Sequence, residues 1–325
     1  MKVQQVNNVK AIDNKVFIVL LNYNGSQDTI ECIESLLKLD YVNYQIIIVD
    51  NSESLGPLQS LINWANFQTF SFIKCSEADI NLKIQLDKVV FVKASQNNGF
   101  AAGNNIALKA ILKANEANSF VWILNNDTVV DSKSLKTQVR FMHHNSENKI
   151  GILGSKLIYY FNPSILQAVG GKFDTRFYIS KHIGEGEIAT KEKVIFEPID
   201  YVIGASMLVP YSFLKEVGLL SEEFFLYYEE LDWSNRARKK GWKIDWCEES
   251  IVFHKEGSSI GSSYNADKKS YQSEIYVFKS RKVFVKKYYG LNFTFYASSL
   301  LLILNRIRKG KIKLGYELIT ITFGR

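Results

Sequence analysis

Two aspartates follow apolar runs in the first half of the chain and are candidates for ligand binding. Asp127 follows residues 120–124 and two asparagines, and Asp50 comes directly after residues 45–49. Carboxylate oxygens are preferred ligands of hard divalent cations, so Asp127 could bind a metal ion, or it could cap a helix that starts near Ser132. Asp50 could bind a nucleotide base or ribose, or close an Asx turn. The residues alone leave both choices open.

An acidic cluster in the second half of the chain is a candidate for proton transfer. Glu229, Glu230 and Asp232 follow the bulky run of residues 224–228. Partial desolvation at the mouth of a cleft would raise the pKa of a carboxylate and make it a better base. The alternative is a favourable interaction with a helix dipole, because the helix expected over residues 229–240 has an acidic start and a basic end.

Histidines offer weaker signals. His254 ends the apolar strand predicted over residues 251–253, and a lone histidine in that position is more often structural than metal-binding. His182 precedes a glycine-containing loop and receives no role from the sequence.

The apolar runs predict the elements that must position these residues. Residues 16–21 and 45–49 are typical of strands buried on both faces, and a helix is expected between them, with Asp28 and Glu31 as a capping box. Strand, helix and strand in this order form a βαβ unit, which implies a parallel sheet. Because ligands bind outside the carboxyl ends of such strands, Asn22, Asp50 and Asp127 should lie close together.

The remaining segments are less regular. Residues 89–92 and 120–124 predict further strands, residues 104–114 a helix, and residues 67–88 an insertion without clear periodicity. Residues 151–254 predict short mixed strands and one strong helix. The chain is therefore predicted to be an α/β protein with a mostly parallel central sheet flanked by helices.

Composition supports a globular protein of one large domain or two modest ones. The chain has 325 residues, with 46% hydrophobic and 22% charged residues. Three scattered cysteines without a Cys-x-x-Cys pair favour free thiols in a reducing compartment and argue against a thiolate zinc site. The first ten residues lack the apolar core of a secretory signal.

Basic residues are concentrated near the end of the sequence. Residues 275–316 contain ten lysines and arginines and no acidic residue, so the rest of the chain would have a net charge of −3 rather than +7. The apolar stretch 293–304 has twelve residues, is interrupted by Thr294, Ser298 and Ser299, and is too short to span a bilayer. We expect a helix lying in the headgroup region of an anionic membrane. A packing helix or homodimer contact is an alternative, and nucleic-acid binding is disfavoured by the leucine-rich composition.

Seven segments together resemble the inverting family 2 glycosyltransferases with the GT-A fold, especially the rhamnosyltransferase-like branch. The segments are residues 21–25 (LNYNG), 49–51 (VDN), 97–105 (NNGFAAGNN), 124–128 (LNNDT), 202–208 (VIGASML), 224–232 (FFLYYEELD) and 252–254 (VFH). Their order across about 240 residues carries the likeness. The resemblance implies a catalytic domain over residues 1–260, with a nucleotide-binding half at about 15–130 and an acceptor half at about 150–260. Residues 261–325 would form a basic amphipathic helical region.

The resemblance also implies roles for individual residues. Donor-binding residues would be Asn22, Tyr23, Asn24, Asp50, Asn98, Gly99, Asn105, Asn125, Asn126 and Asp127. Acceptor-binding residues would be Gly204, Ala205, Asp232 and Trp233. Asp127, in the family's Asp-x-Asp position, and His254 would bind a divalent Mn²⁺ or Mg²⁺ ion. Glu230 would be the catalytic base, with Glu229 as the alternative.

The implied activity is transfer of one sugar, with rhamnose as one candidate, from a nucleotide-diphosphate donor to a hydroxyl of a glycan or lipid-linked acceptor in cell-surface polysaccharide synthesis. No Gln-x-x-Arg-Trp motif of processive synthases occurs, which favours single addition. The expected location is the cytoplasm, peripheral on the inner face of the cell membrane. A non-catalytic nucleotide-sugar-binding protein and a sugar nucleotidyltransferase are the alternatives.

Overall fold

The computed structural model describes residues 13–83, 87–189, 197–256 and 270–324. Within these ranges the strands are β1 (Val16–Asn22), β2 (Tyr44–Asp50), β3 (Phe72–Ser76), β4 (Val89–Lys93), β5 (Phe120–Asn125), β6 (Thr128–Val130), β7 (Ile150–Tyr159), β8 (Leu166–Ala168), β9 (Gly170–Asp174), β10 (Ile179–Ile183), β11 (Ser206–Pro210) and β12 (Lys243–His254). The α-helices are α1 (Ser26–Leu36), α2 (Gly56–Ala65), α3 (Ile80–Lys83), α4 (Gly99–Ala114), α5 (Ser134–His144), α6 (Tyr211–Val217), α7 (Glu229–Lys239), α8 (Tyr271–Tyr288), α9 (Phe293–Arg308) and α10 (Ile312–Phe323).

A central, mostly parallel sheet organises these elements, as predicted. Its strand order is β3-β4-β2-β1-β5-β11-β7-β12-β6, with β8 paired to β7. The first five strands are mutually parallel, β11 runs antiparallel between β5 and β7, and β12 is parallel to β7. A separate hairpin pairs β9 with β10.

Helices cover both faces of the sheet because the central strands carry apolar side chains on both faces along most of their length. In β1, Phe17 and Val19 belong to a core that includes α4, whereas Ile18 and Leu20 belong to a core that includes α1, α2 and α5. Burial on both faces explains why this strand reads as a continuous apolar run rather than an alternating one.

Strand register brings the polar residues at the strand ends together. Asn22 of β1 lies opposite Asp50 of β2, and Leu21 lies opposite Asn125 of β5. On the far side of the sheet, His254 of β12 pairs with Thr128 of β6. The carboxyl ends of strands from distant parts of the sequence therefore meet at one edge.

Two local predictions are wrong. Helix α1 has no side-chain cap among the described contacts, and its Asp28 and Glu31 carboxylates instead bind Lys255, at 2.7 and 2.6 Å. A tertiary ion pair thus replaces the predicted capping box. Residues 67–88 also contain edge strand β3 and helix α3, because Phe72 packs edge-on against Phe91 of neighbouring β4. Aromatic packing at a sheet edge gives no periodic signal in the sequence.

The helical region after residue 270 packs on the rest of the protein. Phe284 and Val285 of α8 and Phe295 of α9 share a buried cluster with Phe224 and Tyr228. Arg281 is buried beside the Phe295 ring, and its guanidinium donates to the carbonyls of residues 177 and 178 and to the hydroxyls of residues 298 and 299. No helix in the described ranges has the length and apolarity to cross a bilayer.

Candidate active site

Two adjoining cavities lie at the carboxyl ends of the strands. The larger, about 490 Å³, is called the strand-end cavity. It is lined by Leu21, Tyr23, Asn51, Asn97, Gly99, Phe100, Asn125, Asn126, Asp127, Phe225, Leu226, Tyr227, His254, Ser270, Gln272 and Tyr276. The smaller, about 250 Å³, is called the carboxylate cavity. Its lining includes Gln167, Ser180, His182, Tyr201, Gly204, Ala205, Glu229, Glu230 and Glu256. Both cavities also contact Phe100, Asn125, Leu226, Tyr227 and His254.

Asp127 and His254 meet where the two cavities join. The Asp127 Oδ1 and His254 Nε2 atoms lie 3.1 Å apart, and both side chains are more than nine-tenths buried. His254 Nδ1 lies 2.9 Å from Gln167 Oε1, which can only accept, so Nδ1 carries a proton. Burial lowers the pKa of His254, but the adjacent Asp127 carboxylate outweighs burial and leaves the pKa above its usual value.

This pair fits a divalent cation. When His254 is neutral, its Nε2 and the Asp127 oxygen are two electron-pair donors 3.1 Å apart, which a shared cation would satisfy. The carboxylate oxygen suits Mn²⁺ or Mg²⁺, whereas imidazole is more typical of softer divalent metals. The described residues contain no group of three or more His, Cys, Asp or Glu side chains suited to a metal. The capping alternative for Asp127 does not arise, since Lys133 precedes α5 and the cap involves no side-chain bond within the described chain.

Glu229 and Glu230 begin α7 and border the carboxylate cavity. Glu229 is 4% exposed, and Glu230 is partly accessible. Each has one buried carboxylate oxygen, Oε2, without a hydrogen-bond partner among the described residues. Burial raises the pKa of Glu230 to about 7, and burial together with the Glu230 charge raises the pKa of Glu229 well above its usual value. A carboxyl group that titrates near neutral pH is suited to general-base catalysis.

An unusual backbone turn presents this pair to the cavity. Tyr227 and Tyr228, directly before α7, have φ angles of 68° and 70°, in the left-handed region that non-glycine residues rarely adopt. The preceding Phe225 carbonyl accepts a 2.7 Å hydrogen bond from the Phe100 amide. Gly99 makes this approach possible, because a Cβ there would lie 2.1 Å from the Phe225 oxygen.

Asp50 lies behind the strand-end cavity rather than on its wall. Its fully buried carboxylate accepts hydrogen bonds from Asn22 Nδ2 and Ser52 Oγ, both at 2.7 Å, and lies 3.0 Å from the Lys93 ammonium. The next residue, Asn51, lines the cavity instead. Asp50 thus has three protein partners, and a direct contact with a base or ribose would have to displace them.

Asn51 and Asn97 are cavity residues that the sequence did not single out. Asn51 Nδ2 donates to Asn97 Oδ1 at 2.7 Å and to the Gly99 carbonyl at 3.3 Å. This fixes the amide orientation and leaves the buried Asn51 Oδ1 without a partner among the described residues. The signal for Asn51 was its place directly after a predicted strand, but the neighbouring aspartate drew the assignment.

The predicted donor residues divide into two groups. Tyr23, Gly99, Asn125, Asn126 and Asp127 line the strand-end cavity, whereas Asn22, Asn24, Asn98 and Asn105 do not. Asn22 accepts hydrogen bonds from the Gly25 amide and the Thr29 hydroxyl, which tie β1 to α1. Asn105 donates to the Leu220 carbonyl and the Glu222 carboxylate on the opposite side of α4.

The predicted acceptor residues divide in the same way. Gly204 and Ala205 line the carboxylate cavity. Asp232 is fully buried against Arg236 at 2.8 Å and Lys287 at 3.0 Å, and Trp233 packs edge-on against Phe213 in the core. Neither side chain lines the strand-end cavity or the carboxylate cavity, because Asp232 is held by its two cations and Trp233 lies in the core. His182, Ser180 and Gln167 border this cavity without having been predicted.

Comparisons with known proteins agree with this geometry. Residues 17–156 match the family model described as glycosyl transferase family 2. A curated relative, the low-salt glycan biosynthesis hexosyltransferase Agl10 of Haloferax volcanii, is 23% identical over 243 residues, 74% of this chain. An N-acetylglucosaminyl-diphospho-decaprenol L-rhamnosyltransferase of Mycobacterium tuberculosis is 27% identical over 81 residues, 25% of this chain. The matches span 66% and 26% of these relatives, less than two thirds of either.

The crystal structure of GalNAc-T7 with UDP, GalNAc and Mn²⁺ is similar in fold, with a TM-score of 0.57 and 14% identity. The likeness covers 85% of this chain and 51% of that one. At this identity the comparison concerns the fold alone, and it confirms the predicted GT-A architecture.

Proposed function

We propose that this chain, whose residues 17–156 match the glycosyl transferase family 2 model, transfers a single sugar from a nucleotide-diphosphate donor to a hydroxyl group of a glycan or lipid-linked acceptor, with inversion at the anomeric carbon. One observation carries the proposal: the carboxylate cavity shares a wall with the strand-end cavity that contains Asp127, and it is bordered by Glu229 and Glu230, whose Oε2 atoms have no hydrogen-bond partner among the described residues. A base and a phosphate-binding site are thus adjacent.

The donor would bind in the strand-end cavity. Asn51 and Asn97 lie near the end of β2, where a nucleoside would be held, and Asn125, Asn126 and Asp127 lie at the end of β5, towards the carboxylate cavity. Asp127 and His254 would hold a Mn²⁺ or Mg²⁺ ion, which when bound neutralises charge on the leaving diphosphate. Gln167 keeps the imidazole of His254 oriented for that role.

The acceptor would bind in the carboxylate cavity. Glu230 accepts the proton of the acceptor hydroxyl as the hydroxyl oxygen attacks the anomeric carbon from the face opposite the diphosphate. The bond from that carbon to the diphosphate oxygen breaks, the nucleoside diphosphate leaves with the electron pair, and the configuration is inverted. General-base assistance of this kind contributes about 10²- to 10⁴-fold in rate. Burial raises the pKa of both members of the pair, and Glu230, the more accessible member, is the assigned base.

The donor sugar follows from a direct screen. UDP-GlcNAc, UDP-galactose, GDP-mannose and dTDP-rhamnose are each mixed with the full chain and Mn²⁺ or Mg²⁺, and thermal stabilisation is measured. Release of nucleoside diphosphate in the presence of a glycan acceptor then measures transfer. The proposal expects at least one donor to stabilise the protein and be consumed. Stabilisation without consumption would instead support a non-catalytic nucleotide-sugar-binding protein.

We further propose that α9 and α10 dock on the anionic inner surface of the cell membrane. Phe293, Leu300, Leu301 and Leu304 are exposed along one side of α9. Helical spacing places them on one stripe, and exposed Arg308 lies at its end. Apolar side chains flanked by cations match an interface of acyl chains and anionic headgroups.

Liposome co-sedimentation tests the docking proposal. The full chain should bind vesicles containing phosphatidylglycerol, and a Leu301→Asp, Leu304→Asp variant should lose most of that binding. Equal sedimentation of both proteins would contradict the proposal. A concentration-dependent dimer in analytical ultracentrifugation that the double variant abolishes would assign the same stripe to a homodimer contact.

A further inference from the structure

Helix α8 contacts the segment that precedes Glu229 and Glu230. Three of its side chains contact three consecutive residues, 225–227. The contacts are a 2.7 Å hydrogen bond between Ser273 Oγ and Tyr227 Oη, a ring stack of Tyr276 on Phe225 with centroids 4.7 Å apart, and a 2.7 Å hydrogen bond from Ser280 Oγ to the Leu226 carbonyl. The spacing i, i+3 and i+7 puts all three on one helix face.

The backbone of the turn just before Glu229 is strained. Two consecutive left-handed tyrosines, at 227 and 228, each cost about 1–3 kcal/mol and persist only where surrounding contacts over-determine them. The Phe100 amide also donates to the Phe225 carbonyl, and Tyr228 packs against Phe173. Helix α8 therefore supplies part of the contacts that hold the turn before Glu229 and Glu230.

The same helix borders the strand-end cavity. Ser270, Gln272 and Tyr276 lie on its wall, across from Asn125 and Asp127 on the sheet. Further along α8, Lys287 and Tyr288 bind the buried Asp232 of α7 at 3.0 and 2.8 Å. One helix thus contacts the cavity, the turn and the helix that carries the carboxylates.

We propose that α8 is a functional part of the active site: Ser273, Tyr276 and Ser280 are positioning residues that set the geometry of Glu230, and Tyr276 also shapes the donor-binding wall. The inference rests on the proposed glycosyl transfer. It assigns to the helical region a role in the reaction that is separate from membrane docking and operates with a soluble acceptor in the absence of lipid.

The test compares Ser273→Ala, Ser280→Ala, Tyr276→Ala and Tyr276→Phe with wild type, using the full chain, the donor found in the screen and a soluble acceptor. Lys279→Ala is the matched control, because Lys279 is exposed on the same helix. We expect kcat to fall at least about tenfold in the two serine variants with little change in acceptor KM, since a 1 Å misplacement can cost about 100-fold. The acid limb of their pH–rate profile should move to lower pH as water reaches Glu230. Tyr276→Phe, which keeps the ring that stacks on Phe225, should lose less activity than Tyr276→Ala.

The readouts separate this inference from the proposed function. If both serine variants have the kcat and the pH profile of wild type, the inference is overturned while glycosyl transfer stands. A lower kcat with an unchanged pH profile also overturns the inference. If wild type transfers no sugar, the proposed function fails. Calorimetric binding of UDP and dTDP with Mn²⁺ then decides the remaining claim: Tyr276→Ala should bind at least tenfold more weakly than Tyr276→Phe, and equal affinity, or no binding by wild type, overturns it.

Discussion

Two buried carboxylate sites in this protein differ in the groups that surround them. Asp50, at the end of β2, accepts hydrogen bonds from an amide and a hydroxyl through Oδ1, and its Oδ2 accepts no hydrogen bond among the described residues but lies 3.0 Å from the Lys93 ammonium. Glu229 and Glu230, at the start of α7, each have a buried Oε2 without a hydrogen-bond partner in the described part of the chain, and burial raises the pKa of both. A nearby cation offsets the cost of burying a carboxylate charge, whereas burial alone raises the pKa. The first arrangement fixes Asp50 behind the strand-end cavity, and the second suits a group that exchanges a proton with a substrate.

Replacing Glu230 tests the proposed base directly and should have the largest effect. Glu230→Gln retains shape and hydrogen-bonding capacity but cannot accept a proton, so kcat should fall about 10²- to 10⁴-fold while donor affinity is retained. Steady-state kinetics and calorimetry measure the two quantities. Glu229→Gln, with a smaller loss, is the matched variant. Unchanged turnover in Glu230→Gln, or a larger loss in Glu229→Gln, would contradict the assignment.

Removal of Asp127 should impair donor binding rather than proton transfer. Asp127→Ala is expected to weaken donor binding at least about tenfold in the presence of Mn²⁺, since even groups that only orient a metal ligand contribute about 10- to 100-fold. Isothermal titration with and without EDTA measures it. Asp131→Ala, a nearby aspartate that accepts from the Lys133 amide, is the control. Donor affinity that is independent of metal in wild type would refute the metal role.

Gly99→Ala tests the close approach that supports the strained turn. Its φ is +91°, and the new methyl group would meet the Phe225 carbonyl at 2.1 Å, so we expect a loss of more than about 2 kcal/mol in the free energy of unfolding. Gly241→Ala is the control, with φ +77° and no described atom within 4 Å of a Cβ, and should lose about 1 kcal/mol. Urea denaturation compares the two, and equal losses would show that the contact is readily relieved.

The smallest expected effect is on the pH dependence of stability. Because the pKa of Glu230 is about 7 in the folded protein and 4.5 ordinarily, the native state binds more protons between these values, and the free energy of unfolding should fall as pH rises through this window. Glu229 and His254, whose pKa values are also raised, act in the same direction. Urea titrations from pH 5 to 8 in EDTA measure the slope, and Glu230→Gln should flatten part of it. A wild-type slope of the opposite sign would contradict the pKa direction.

The sequence predicted those parts of the fold that depend on local patterns. Continuous apolar runs predicted β1, β2 and β5 because burial on both faces leaves no polar positions, and the charge gradient of α7 predicted its extent. Edge strand β3 was missed because only one of its five residues is buried and its packing depends on Phe91, a residue from a different strand.

The site was predictable where chemistry and strand ends coincide, and much less so elsewhere. Asp127, Glu230 and His254 have chemically distinctive side chains after apolar runs. The sequence could not show that Asn51 rather than Asp50 lines the strand-end cavity, because the pleat of a strand decides which of two neighbouring side chains faces the cavity. The contribution of α8 depends on long-range packing across more than 40 residues of sequence separation, for which a single sequence carries no signal.

Ion pairs reduce the number of free positive charges that residues 275–316 present to a membrane. Lys287 is neutralised by Asp232 and Glu223, and Arg306 and Lys311 by Glu274, all from outside the acid-free stretch. Arg281 is enclosed among carbonyl and hydroxyl oxygens. Association with lipid should therefore depend on ionic strength less steeply than ten free cations would predict. The exposed apolar stripe of α9 would supply a contribution that added salt does not screen.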